Sequence, residues 1–113
     1  MSRIYKILPR ADWEAAQGAG RYEGSAVDAA DGFIHFSTAA QAQETAAKHF
    51  AGKPDLVVLE VEADELGEAL RWEPSRRGQL FPHLYGALDT ALVRAVTEAP
   101  LGPDGAPQVG ALA

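Results

Sequence analysis

GFIHFSTAAQAQETAAKHFAGKPDLVVLEV, residues 32–61, reads as a strand, a helix and a second strand in one run, and this succession decides the fold class. Asp31-Gly32 is a turn dipeptide that launches a strand over Phe33 to Phe36. Thr38 and Gln41 have capping-box spacing, in which hydroxyl and amide each satisfy a backbone N–H that the first helical turn leaves open. Ala39, Ala42, Ala46 and Phe50 then recur at helical intervals until Gly52, so the spacing predicts a helix over Ala39 to Ala51. Lys53-Pro54-Asp55 turns the chain into Leu56-Val57-Val58-Leu59-Glu60-Val61, a β-favouring run that suits a central strand buried on both faces.

Working outward, Arg3 to Leu8 alternates as a strand that Pro9 ends, and Trp13, Ala16 and Gln17 mark a short helix from Arg10 before Gly18 and Gly20. Arg21 to Asp31 has no clear period and reads as a loop. Ala63 to Gly67 is a helical turn, and Ala69 to Glu73 a strand that Pro74 stops before a polar loop over Ser75 to Gln79. Pro82 breaks the apolar segment Leu80 to Gly86, which is expected to be a shaped loop or broken strand, and Ala91 to Val96 is a final strand. The expectation is one α+β domain over residues 1–99, with about six strands and two short helices. Residues 100–113 are glycine- and proline-rich without a period, and read as a mobile, dispensable tail.

A chain of 113 residues has room for one core, and 47% hydrophobic with 23% charged residues is ordinary globular composition. The absence of cysteine removes disulfides, thiolate metal sites and a thiol nucleophile. No apolar run is long enough to span a membrane, and the N-terminus lacks a signal-peptide core, so a cytoplasmic setting is expected. A net charge of −6 disfavours nucleic acid as a partner. Arginine clusters, among them Arg71, Arg76 and Arg77, could still seat a small anion, although solvated surface arginines are the plainer reading.

Three places combine apolar context with polar side chains. On a strand, His35 would face away from Ile34 and Phe36 and share its side with Ser37, where the helix opening at Thr38 favours a ribose or phosphate; the alternative is a histidine tied to the backbone. In Arg71-Trp72-Glu73, alternation puts Arg71 and Glu73 on one face, with Glu73 able to act as an acid, a base or a stabiliser of positive charge; the alternative is a wet surface ion pair. Phe81-Pro82-His83-Leu84-Tyr85-Gly86 places His83 and Tyr85 among large apolar groups. His49 sits near a helix end as a solvated residue. Spacing of the histidines is no metal signature, although His35, His83 and Glu73 could converge, and no metal is expected. Signatures of serine hydrolases, P-loop and Rossmann proteins and zincins are missing.

Ile4-Tyr5-Lys6-Ile7, Trp13, Gly32-Phe33-Ile34-His35-Phe36-Ser37, Asp55-Leu56-Val57-Val58-Leu59, Arg71-Trp72-Glu73 and Phe81-Pro82-His83-Leu84-Tyr85-Gly86 together resemble the small, mostly bacterial family known as domain of unknown function 952. That family is placed by fold with the ADP-ribosyltransferase-like proteins. The resemblance implies a split α+β fold with strongly bent antiparallel or mixed sheets around a cleft that, in active transferases, holds NAD. It makes Glu73 and His83 candidate catalytic residues, and His35, Ser37, Tyr85 and Lys6 candidate contacts to NAD or a related ADP-ribose compound. Lys6 departs from the family, which often has histidine there; lysine could reach a phosphate as a point charge. The strand around His35 is also similar to that of RNA 2′-phosphotransferases, against which the acidic charge counts. Two readings stay open: an enzyme of ADP-ribosyl transfer, or a binding or interaction domain that keeps the fold without catalysis.

Overall fold

A computed structural model describes residues 2–112 as eight strands and three α-helices. The strands are β1 (Arg3–Pro9), β2 (Arg21–Tyr22), β3 (Ile34–His35), β4 (Leu56–Glu62), β5 (Leu70–Ser75), β6 (Gln79–Leu84), β7 (Leu88–Asp89) and β8 (Val93–Ala99). The helices are α1 (Arg10–Ala19), α2 (Ala26–Asp31) and α3 (Ala39–His49). Short 3₁₀ turns cover Ala63–Ala69, Arg76–Gly78 and Thr90–Leu92. The strands form three separate sheets, in the orders β1-β4-β8, β2-β7 and β3-β6-β5. The α+β class is as expected, but every pairing is antiparallel and none is mixed. No helix among the described residues is long and apolar enough to cross a membrane.

Strand β4 is central, as its nearly continuous apolar run predicts. Val57, Leu59 and Val61 join Ile4 and Leu8 of β1 in a core shared with Ile34, Phe36 and Leu84 of the β3-β6-β5 sheet and with Trp13 of α1. Leu56 and Val58 join Tyr5 and Ile7 on the other face, beneath Ala42 and Ala46 of α3. Lys6 falls on the side of β1 that carries Ile4 and Leu8, so alternation drives its stem into the first of these cores.

Thr38 caps α3 through the Gln41 N–H, and Gln41 returns a bond to the Thr38 N–H, which is the capping box read from the sequence. Four expectations need correction. The segment read as a loop after Arg21 contains β2 and α2, and α2 starts with its own capping box between Ser25 and Asp28. Leu80 to Leu84 lies within a regular strand in spite of Pro82: the Pro82 carbonyl accepts from Phe36 N–H at 3.0 Å, so its missing donor faces β3 just where that strand ends. Strand β5 runs through Pro74 because it is a sheet edge, where no partner needs the lost N–H. Residues 100–112 are seated on the domain: Val109 is buried in the core under α3, and Gln43 of α3 accepts from Val109 N–H and donates to the Pro107 carbonyl.

Candidate ligand-binding site

Strand β6 runs between β3 and β5, and its register sets His83 opposite both His35 and Arg71. His35, His83 and Arg71 therefore form one lateral row across three strands. With a two-residue period, Glu73 and Tyr85 share their face, and Phe33 precedes His35 on the same side. Ile34, Phe36 and Leu84 fill the opposite face and pack into the core. The inward apolar set thus fixes the polar set outward.

Glu73 is the hub of the outer face. His83 donates from Nδ1 to Glu73 Oε1 at 2.8 Å, and the Tyr85 hydroxyl donates to the same oxygen at 2.8 Å. These bonds, His83 first, hold the Glu73 carboxyl below its ordinary value, so it stays an anion; Glu73 in turn raises the Tyr85 phenol. Phe33 stacks on His83 with ring centroids 4.0 Å apart, and approaches His35 at 4.6 Å and Tyr85 at 5.2 Å. The Arg71 guanidinium lies over the Tyr85 ring, 4.9 Å from its centroid. The Arg71–Glu73 pair of the wet-surface reading does not close to ion-pair distance, although the Arg71 charge adds to the depression of the Glu73 carboxyl.

Beside this hub lies a buried carboxylate. Asp28 accepts from Ser25 N–H, from His35 N–H, from His35 Nδ1 at 2.6 Å and from Lys6 Nζ at 2.9 Å. Burial alone would raise its pKa, but the His35 bond and the Lys6 charge outweigh burial and hold it well below the carboxylate range. Burial lowers the Lys6 ammonium, opposed by Asp28. Asp31 faces His35 Nε2 at 2.9 Å, so both ring nitrogens of His35 meet carboxylates. The loop before α2 comes close: a Cβ on Gly24, whose φ is +99°, would stand 2.8 Å from Asp28 Cβ. Tyr22 is buried nearby with no partner for its hydroxyl, and burial with the charges of Asp28 and Asp12 raises its pKa. An open groove of about 300 Å³, with Asp28 and Phe33 in its wall, runs between α2 and Gly86-Ala87.

Of the residues singled out in the sequence, the structure brings together Glu73, His83, Tyr85 and His35, with the rings of His35 and His83 5.5 Å apart. It separates two others from them. Ser37 leaves the sheet to pair with Tyr5, and its hydroxyl bonds Thr45 of α3 at 2.9 Å. Lys6 is only 6% exposed and paired with Asp28, so it is no free phosphate contact. Trp72 alternates to the other face, as the pattern of Arg71-Trp72-Glu73 predicts. The side chain of Arg76 lies outside the described residues, and Arg77 pairs with Glu44. Among the described residues no group of three or more His, Cys, Asp or Glu is placed to hold a metal ion. Asp28 and Asp31 were not recognised as site residues, although the Ser25-x-x-Asp28 spacing is a visible capping signal.

A family model described as protein of unknown function (DUF952) matches residues 7–96. Two solved structures of protein CC0527 from Caulobacter crescentus are similar over almost the whole chain. The crystal structure is 58% identical, with a TM-score of 0.94 and 96% of each chain covered. The solution NMR structure is also 58% identical, with a TM-score of 0.87 over 97% of this chain and 95% of that one. Among curated proteins there is no significant match.

Proposed function

The chain belongs to the DUF952 family of proteins of unknown function, and from that footing we propose that it binds a ribose-containing dinucleotide of the NAD and ADP-ribose class on the face built by Phe33, Arg71, Glu73, His83 and Tyr85. The observation that carries the reading is the Glu73 hub. A carboxylate that two donors keep ionised has its second oxygen left to accept ribose hydroxyls, beside stacked rings that suit a flat heterocycle. His35 borders the same face. Lys6 and Ser37 have no part in the binding. If the bound ribose carries nicotinamide, a nearby anion would also stabilise the positive charge that develops at the anomeric carbon as that bond lengthens, which is the chemistry of ADP-ribosyl transfer.

The test is a thermal-shift panel of NAD, ADP-ribose and nicotinamide. A ligand present at 100 times its Kd stabilises the fold by about 2.7 kcal/mol. Stabilisation by NAD or ADP-ribose that is lost in Glu73→Gln is the expected result; no stabilisation by either compound refutes the proposal. Chromatographic measurement of nicotinamide release then separates an enzyme from a binding module.

A further inference from the structure

Six arginines have described side chains, and five of them pair with a carboxylate: Arg3 with Glu60, Arg10 with Asp55 and Glu98, Arg21 with Glu23, Arg77 with Glu44 and Arg94 with Glu65. Arg71 is the sixth. In a chain with sixteen acidic residues its lack of a carboxylate partner needs a reason. The nearest candidate on its strand is Glu73, whose close contacts are to His83 and Tyr85 through Oε1 and which feels the Arg71 charge without a close ion pair to it. Tyr85 also supports the guanidinium from below, leaving its N–H edges free. Arg71 is thus an exposed planar fork, held over an aromatic ring, with its donors unspent. One strand away, His83 is held through Nδ1 by Glu73 and is only 5% exposed, so the guanidinium is the open donor of this row.

We propose that Arg71 forms the seat for the phosphate groups of the ligand, with the guanidinium bonding two phosphate oxygens at once. This rests on the reading of the Glu73 face as a dinucleotide site and assigns the pyrophosphate to a specific place in it. A guanidinium fork matches two oxygens of a phosphate, whereas a lysine at the same place would supply only a point charge. The negative charge of Glu73 lies at the hydroxyl edge of Tyr85 and that of the ligand over the ring, so the two anions are held apart by the phenol. The seat selects phosphorylated ligands over the corresponding nucleosides.

The experiment titrates the full chain calorimetrically at low salt with inorganic pyrophosphate, ADP-ribose and adenosine, for the natural sequence, Arg71→Gln and Arg71→Lys. Arg71 is exposed and bears no ion pair, so both variants should fold, which a melting curve checks. The expected result is at least a tenfold rise in Kd for pyrophosphate and ADP-ribose in Arg71→Gln, a smaller rise in Arg71→Lys, and no change for adenosine. If ADP-ribose binds and Arg71→Gln leaves its Kd within twofold, the phosphate seat is refuted and the dinucleotide site survives. If pyrophosphate binds through Arg71 while ADP-ribose and NAD do not bind, the seat stands and the dinucleotide reading falls. Binding of neither refutes both.

Discussion

The carboxylate of Asp28 lies 2.9 Å from the Lys6 ammonium, with both side chains buried where β1 meets the segment leading into β3. Asp28 also takes both the backbone and the ring N–H of His35, so one carboxylate joins Lys6 to His35. The Lys6 ammonium thus connects to the outer face through Asp28 and His35.

Lys6→Met should cost about 3 kcal/mol or more, because it leaves a buried carboxylate short of its charge partner. The double change Lys6→Met with Asp28→Asn should cost less than the two single costs added together, since no unpaired charge remains. Urea unfolding of the three variants measures this, and strict additivity would show that the contact is not energetically coupled.

Acid should weaken the fold through the same residue. The Asp28 pKa is depressed in the folded state. Its contribution is therefore present above the unfolded carboxylate value of about 3.9 and is lost as pH falls from there toward the folded value. Unfolding free energy should drop steeply below about pH 4, and Asp28→Asn should flatten that limb while lowering stability at neutral pH. An unchanged acid limb in the variant would contradict the assignment.

Glu73 should titrate below an ordinary glutamate. His83→Gln should raise its pKa most and Tyr85→Phe by less, because the histidine bond is the larger cause of the depression. Side-chain carboxyl NMR across a pH series checks the order of the two effects.

Much of the fold was legible because its signals are local. The Thr38 and Gln41 capping box and the Leu56 to Val61 run each stand in one short window, and both α3 and the central strand appear where they point. Strands β2 and β7 have two residues each and exist only through their mutual pairing, which no period can announce. Glu73, His83 and Tyr85 were legible as polar groups among large apolar residues, but their common strand face was not, because Pro82 made Leu80 to Gly86 read as a broken strand although its missing donor faces the end of β3. Ser37 was misplaced because β3 is too short for the alternation to carry past Phe36. Asp28 was missed because its partners Lys6 and His35 come from other elements, 22 and 7 residues away.

The last segment illustrates the same point in stability. Its composition suggests a tail, yet the Gln43 side chain fastens it by two bonds, Gly52 N–H donates to the Gly105 carbonyl, and Val109 fills the core beneath α3. Deletion after Ala99 removes the buried Ala106, Pro107 and Val109 with their bonds to the domain and should cost at least about 2 kcal/mol. In a domain of this size that lowers Tm by about 10 °C. A shift of under 2 °C would show that the segment contributes nothing.

The central claim, that the Phe33 to Tyr85 face binds a dinucleotide, is tested most directly by amide NMR of the labelled chain titrated with ADP-ribose. Saturable shifts should concentrate at Phe33, His35, Arg71, Glu73, His83 and Tyr85. Shifts gathered instead at the surface depression bordered by Arg10, Asp55 and Glu98, or no saturable shift at millimolar ligand, would contradict it.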